Sequence, residues 1–425
     1  MNRMYVALVL FIIMYVFLLR VKSEKRWIVA LVTAGVFVVT GLLPANTIVS
    51  YVNWNVLLML AGTMGVVELF IESRMPSRMA EGLLRIVPNV KWAVVALSLF
   101  AGVISAFVDN VATVLMVAPV GLAVARQLDI NPVPVIISIA VSSNLQGAAT
   151  LVGDTTSILL GSYADMSFTD FFWFHGKPGI AFAVELGALM TIPVLLFLFR
   201  KDSEKVDSEV KTVVTDYVPS VLMIGVVVTL IIASFFENKP ELTNGYICII
   251  YAIVGVIYEW IRTKNTQVVK DVLHSIDYQT LLLLFGLFIV IGGITEAGVI
   301  KEIANLFVKI GGTSQFGMYT MIVFVSVILS AFIDNIPYVA TMLPVVTEIS
   351  TLMGVEPYLF YFGLLIGATL GGNITPVGAS ANIAGIGILN KEGYEVKTRD
   401  FMRIGIPFTL VAVLSGYIFL WLVWA

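Results

Sequence analysis

Charge is what this chain has least of. Only 12% of its 425 residues are Asp, Glu, Lys or Arg, the formal net charge is -3, and no block of lysines or arginines breaks the pattern. Nothing here offers a surface for nucleic acid. Cysteine is nearly absent too. Cys248 stands alone in an apolar run, which excludes an internal disulfide and any cysteine-based zinc or iron–sulfur centre. Histidine is almost as scarce: His175 and His274 fall at the ends of apolar segments, so no histidine metal site and no bound cofactor is expected. With so few titratable side chains, those that interrupt apolar sequence carry the argument.

What is abundant is hydrocarbon. Hydrophobic residues make up 59% of the chain and the mean hydropathy is +0.97, values that place it among polytopic membrane proteins. Segments 6–19, 27–43, 56–70, 180–199, 218–235, 246–261, 280–294 and 404–424 approach the roughly 20 apolar residues that span about 30 Å of hydrocarbon. The first is read as a retained span, because Arg20 follows it directly and no small-residue cleavage site does.

The sequence repeats itself. "SAFVDN" at 105–110 returns as "SAFIDN" at 330–335, 225 positions later, and the offset persists for more than fifty residues. Ser105, Asp109, Asn110 and Pro119 align with Ser330, Asp334, Asn335 and Pro344, while Thr150 and Gly153 align with Thr375 and Gly378. "VNWNVLLMLAG" at 52–62 matches "IDYQTLLLLFG" at 276–286 at an offset of 224. Two transmembrane repeats, 1–199 and 218–425, are expected on either side of a polar cytoplasmic linker at 200–217. Residues 92–126 as one straight helix would measure about 52 Å, too long for one crossing, and arms of about 16 residues are short for two. Hairpins at 92–126 and 316–351, with Asp-Asn at their tips, and interrupted helices at 133–163 and 357–389 fit better. Each half then crosses five times, and an odd number inserts the second half upside down. The expected fold is therefore all-α: about ten transmembrane helices, two re-entrant hairpins and two broken helices in inverted repeats. With both termini outside, 20 of the 25 basic residues fall on the cytoplasmic side of a cell (inner or plasma) membrane, as the positive-inside rule requires.

An ionised side chain at the bilayer centre costs at least ~2.5–3.5 kcal/mol, so such residues mark ion or substrate paths. Asp109 and Asp334 are of this kind, and no Lys or Arg lies between Lys91 and Arg126 or between Lys309 and Lys391 to pair with them. Asp109-Asn110 and Asp334-Asn335 offer carboxylate and amide oxygens beside unwound carbonyls, the hard ligands that Na+ requires. The second polar element is "NLQGAATLVGDTTS" at 144–157, matched by "TLGGNITPVGASAN" at 369–382. Gly, Thr, Ser and Asn inside apolar sequence suit a helix that unwinds to line a cavity. Asn144, Thr150, Gly153, Asp154 and Ser157 are expected on one side, and Asn373, Thr375, Gly378, Ser380 and Asn382 on the other. Asp154 has no acidic counterpart, since Ala379 takes its place. Glu185, inside an apolar run, is either a proton site or a glutamate facing the bundle. Glu68 is read as a structural partner of Arg74 or a snorkelling side chain. The aromatic stretch 167–175 reads as an interfacial segment.

At these residues the chain resembles the ion transporter superfamily of arsenite permeases, bacterial sodium/proton antiporters, the melanosomal P protein and divalent-anion/sodium symporters. "SAFVDNVATVLMVAPV", "ATLVGDTTSILLGSYADMSFTDF" and "SAFIDNIPYVATMLPVV" look most like its arsenite permease, antiporter and P-protein branch. That branch reads Gly-Asp-Pro-Pro-Asn in its first loop, whereas Thr155, Thr156 and Ser157 follow Gly153-Asp154 here. The resemblance implies a midplane site between hairpins and broken helices, elevator-type alternating access, and no enzymatic activity. Three aspartates without a neighbouring cation would repel a dianion, since like charges about 6 Å apart cost ~3 kcal/mol at an effective dielectric of 20. The expected cargo is a small inorganic cation, or a neutral oxyacid such as arsenous acid, coupled to Na+ or H+; a citrate-like anion symporter is the alternative. An intramembrane aspartyl protease fits less well, because both aspartates precede Asn and accompany unwound loops; a channel, which would use similar residues without coupling, is also less favoured. Partners are accordingly a small ion or oxyacid, membrane lipid and, on assembly, a second copy in a homodimer.

Overall fold

A computed structural model describes residues 3–127, 129–202, 204–205, 212–236, 238–312 and 314–425; the rest, including 203 and 206–211 of the expected linker, lie outside the described residues. Among the described residues the chain is an all-α polytopic membrane protein, with a single short pair of strands at Trp173–Phe174 and Lys177–Pro178. The first half holds α1 (Arg3–Arg20), α2 (Arg26–Val39), α3 (Ile48–Tyr51), α4 (Trp54–Glu72) and α5 (Met75–Leu84). It continues with α6 (Val90–Ser105), α7 (Asn110–Gln127), α8 (Pro132–Gly147), α9 (Thr155–Tyr163) and α10 (Ile180–Leu198). The second half repeats the order as α11 (Val218–Ser234), α12 (Thr243–Thr263), α13 (Gln267–Ser275), α14 (Tyr278–Glu296) and α15 (Val299–Gly311). It ends with α16 (Gln315–Ser330), α17 (Asn335–Met353), α18 (Tyr358–Gly371), α19 (Ser380–Lys391) and α20 (Thr398–Trp424). Each helix of the first half thus has its counterpart ten places on.

Eight described helices are long and apolar enough to cross a membrane alone: α1, α4, α7, α10, α12, α14, α17 and α20. Two of these, α7 and α17, are hairpin arms. At 18 and 19 residues they are longer than the 16 expected from sequence, yet their contacts show a reversal. Gly102 of α6 lies against Gln146 of α8, while Gly121 of α7 lies against Val135 and Ile139. Asn110, at the start of α7, returns to Ser143 near the end of α8. The chain therefore runs along α8, turns at 106–109, and runs back. Asp109 and Asp334 start the returning arms by accepting backbone N–H groups, from Val111 and Ala112 and from Ile336 respectively, as N-caps do. The stretch 167–175 folds as a turn and strand whose Phe171 is buried, with Phe174 packed edge-on to Tyr358.

Packing exchanges partners between the halves. α4 packs on α12 and α14 on α2, while α7 meets α19 and α17 meets α9. Close approach needs small residues at the crossings. A Cβ on Gly62 would strike the backbone of Cys248, and one on Gly286 would lie 2.8 Å from the backbone carbon of Ala30. α6–α9 and α16–α19 pack with α10 and α20 in a second group that carries both hairpins and both broken helices. The ends of the linker sit at one end of the molecule, where Thr215 N–H donates to Ser73 O and Val90 N–H to Glu204 O.

Candidate functional site

The broken helices part where their sequence turns polar. α8 stops at Gly147 and α9 resumes at Thr155; α18 stops at Gly371 and α19 resumes at Ser380. Asp154 caps α9, accepting from Thr156 N at 3.4 Å and from Thr156 Oγ1 at 2.8 Å, and Thr156 Oγ1 also meets Thr369 Oγ1 at 3.0 Å. Each loop is tied to its own hairpin tip in the same way: Thr150 Oγ1 donates to Ala106 O and Thr375 Oγ1 to Ala331 O. Glycine is required at both contacts. A Cβ on Gly153 would sit 2.5 Å from Gly147 O and 2.6 Å from Ser105 O; one on Gly378 would sit 2.5 Å from Gly372 O.

Between the loops lies a fully buried asparagine network. Asn144 Nδ2 donates to Asn373 Oδ1 at 2.8 Å and to Asn382 Oδ1 at 3.0 Å; Asn373 Nδ2 donates to Val141 O, and Asn382 Nδ2 to Gly372 O and Thr375 O. Three expected site residues from three different helical pieces thus meet. Among the described residues, Asn144 Oδ1 in this network and Ser157 Oγ on α9 are buried and bond to no protein group. At the first tip Ser105 Oγ donates to Asn110 Oδ1 at 2.6 Å, and Ser143 Oγ donates to Asn110 O. Asn335 is buried at the matching place in the second.

A vestibule leads to the tips. One lobe of about 310 Å³ is lined by Glu68, Asp109, Thr155, Asp277 and Ser380. A second of about 290 Å³, sharing Asp277 and Ser380, is lined by Glu24, Arg26 and Asp334. Behind Asp109, a compartment of about 10 Å³ is bounded by Thr63, Asp109, Gly153, Asp154 and Thr155, room for one water-sized particle.

The ends of the molecule differ. Asn53, the cap of α4, exchanges two hydrogen bonds with Ser162 at the end of α9, at 2.8 and 3.0 Å. The repeat places Asp277 and Gly387 at the corresponding positions, but Asp277 faces the vestibule and a side chain on Gly387 would meet nothing within 4 Å. One end is bolted where its counterpart is open.

Several expectations are corrected here. Asp334 does have a cationic partner: Arg26 Nη1 lies 2.8 Å from its Oδ2, with the two side chains only 15% and 12% exposed. That pairing joins residues 308 positions apart, which inspection of the flanking sequence could not find. The repulsion argument against an anion, built on the absence of any cation, loses its premise. Glu68 forms no ion pair with Arg74 among the described residues; it lines the vestibule beside Asp109. Glu185 is not brought to the site. It is exposed on α10 between exposed Phe182 and Leu189.

Comparison with known proteins matches this architecture. The family model described as citrate transporter (CitMHS) matches residues 8–363 and 265–425. The chain belongs to the citrate transporter family. Among relatives of this family member, the uncharacterized transporter Rv2684 of Mycobacterium tuberculosis is 30% identical over 98% of both chains. The human P protein is 25% identical over 92% of this chain and 56% of its own length. In structure, the YdaH transporter of Alcanivorax borkumensis superposes with a TM-score of 0.60 at 15% identity, covering 88% of this chain and 86% of that one. MtrF of Neisseria gonorrhoeae, titled as one of a class of antimetabolite efflux pumps, gives 0.61 at 14% identity over 91% and 83%. These two likenesses concern the fold.

For this citrate transporter family member, sequence reasoning missed Arg26, Thr63, Thr156, Asp277 and Thr369. Asp277 carried a signal, since it aligns with Asn53 in the repeated "VNWNVLLMLAG" segment. Arg26 was counted only as a topogenic charge.

Proposed function

We propose that the chain is a secondary active transporter that moves a small ion by alternating access, coupled to sodium or protons. The observation that carries this reading is the inequality of the ends. In an inverted repeat, exchanging the conformations of the two halves converts a vestibule open at Asp277 into one open at Asn53 and Ser162, which is the motion transport needs. The body holding hairpins and broken helices would travel against α2, α4, α12 and α14, an elevator. The vestibule would then face the cytoplasm and both termini the outside. A cysteine at Glu204 should label only from the cytoplasmic side, and labelling from outside intact cells would overturn that orientation.

The cargo reading rests on chemistry. A compartment for one water-sized particle, in which the carboxylates of Asp109 and Asp154 and the hydroxyls of Thr63 and Thr155 stand among apolar side chains, offers oxygen ligands suited to a hard cation such as Na+. Sodium and protons would compete there, because the same oxygens cannot bind both. The test is a sodium titration of purified protein by calorimetry from about pH 5 to about pH 8.5, with affinity expected to weaken at the acid end. A pH-independent affinity, or none, removes the cation. A citrate-like carboxylate is the second reading, favoured by Arg26 in the vestibule and by the family's description. With Asp109, Asp154, Asp277 and Asp334 against one arginine, it would need accompanying cations or protons. Uptake of labelled citrate into proteoliposomes only with an imposed gradient would establish that reading.

A further inference from the structure

The two hairpin tips are not chemically equivalent, and the difference lies in one side chain. Asp334 is held by Arg26, the first residue of α2, inside the vestibule. Among the described residues, Asp109 is held only by backbone N–H groups. The asymmetry comes from the scaffold: Ala30 of α2 meets Gly286 just as Cys248 of α12 meets Gly62, so the position matching Arg26, four residues upstream, is Asn244. That asparagine is neutral, and α12 sends no cation towards Asp109. The Arg26 Nε is buried with no acceptor, so the guanidinium is only partly satisfied where it sits. Among the described residues, no other ion pair reaches a hairpin tip.

We propose that Arg26 is a tethered counter-cation that occupies the Asp334 site in the empty carrier and must be displaced by the transported or coupling cation. This rests on the cation-coupled reading above and adds a sequence to it. A cation binds first at the unpaired Asp109, and Asp334 becomes available only when Arg26 leaves. Because Arg26 belongs to α2, which packs on α14, and Asp334 belongs to the hairpin, their bond fastens the moving body to the fixed one. An unloaded carrier is held with its vestibule open; a loaded one is released. Arg26 is thereby a coupling residue that opposes movement without cargo.

Resident competition lowers the apparent affinity of a ligand by the fraction of sites left free. If the pair is formed nine-tenths of the time, removing it strengthens cation binding roughly tenfold. The experiment compares wild type with Arg26→Gln in two measurements, using sodium chloride as probe and potassium chloride as control. Calorimetry should show a roughly tenfold lower apparent sodium Kd in the variant, a gain that general damage to the site would not produce. Thiol labelling of Ala384→Cys, which lines the vestibule beside Asp334, should be fast in sodium-free buffer with Arg26 present and several-fold slower in Arg26→Gln, as the freed hairpin moves away. Should Arg26→Gln fail to fold with Asp334 unpaired, Arg26→Gln/Asp334→Asn carries the labelling arm, with the same slowing expected. An unchanged sodium Kd together with unchanged labelling overturns the proposal while leaving cation transport standing. A wild type that responds to neither sodium nor protons overturns both.

Discussion

Replacing Gly153 by alanine adds one methyl group at the point where the first broken helix meets its hairpin. The added Cβ would stand 2.5 Å from Gly147 O, 2.6 Å from Ser105 O and 2.8 Å from Ala106 O, all backbone atoms. No rotamer change relieves such a contact. The tip or the loop must retreat by about half an ångström, and each is held, since Thr150 Oγ1 bonds Ala106 O. Overpacking of this kind costs about 1–3 kcal/mol. If the cost falls on the ion-bound geometry, affinity drops roughly five- to 150-fold. Sodium titration of the purified variant measures this directly, and flux into proteoliposomes should fall with it. Gly82→Ala is the control, because a side chain there meets nothing within 4 Å and alanine favours a helix. Wild-type affinity in Gly153→Ala, or an equal loss in Gly82→Ala, would refute the reasoning.

The remaining expectations concern the same region. Asp109→Asn and Asp334→Asn should each abolish coupled transport while the protein still inserts, because charge is lost at constant volume; wild-type exchange at matched expression would make both aspartates mere helix caps. Asn144→Leu removes the donor shared by Asn373 Oδ1 and Asn382 Oδ1. Each buried acceptor left without a donor costs about 1–3 kcal/mol, so thermal unfolding in detergent should come earlier, and an unshifted transition would deny the network a structural role. Oxidising Asn53→Cys/Ser162→Cys should halt flux until reductant is added, with Cys248 too buried to interfere. Full flux after verified cross-linking would mean that this end does not open.

The repeat was legible because its punctuation is rare. An Asp-Asn pair flanked by apolar residues does not recur 225 positions later by chance, and the glycine- and threonine-rich loops fall in step with it. Those local signals located the tips and the breaks, and with them Thr150, Gly153, Thr375 and Gly378, whose contacts are short-range. Contacts across the halves were hidden. That Asn144, Asn373 and Asn382 bond one another depends on how the broken helices cross, and no periodicity encodes a crossing. Arg26 was hidden for a further reason: a basic residue at the mouth of a span reads as a topology signal, and only the folded position of α2 turns its side chain towards Asp334. Glu68 misled because Arg74 is near it in sequence, whereas α4 carries Glu68 to the vestibule.

The exchange of partners between α2, α4, α12 and α14 has a consequence for origin. Neither half can bury the glycine face of its own α4 or α14, since Gly62 is covered by the other half's Cys248 and Gly286 by the other half's Ala30. α10 and α20, counterparts in the repeat, pack on each other, as one helix does with its copy across a dyad. A dimer of half-length chains inserted in opposite orientations would have this geometry, but its single gene product would need to enter the membrane both ways up. One continuous chain fixes the orientation of each half and lets the two differ, so that α2 carries Arg26 where α12 has Asn244.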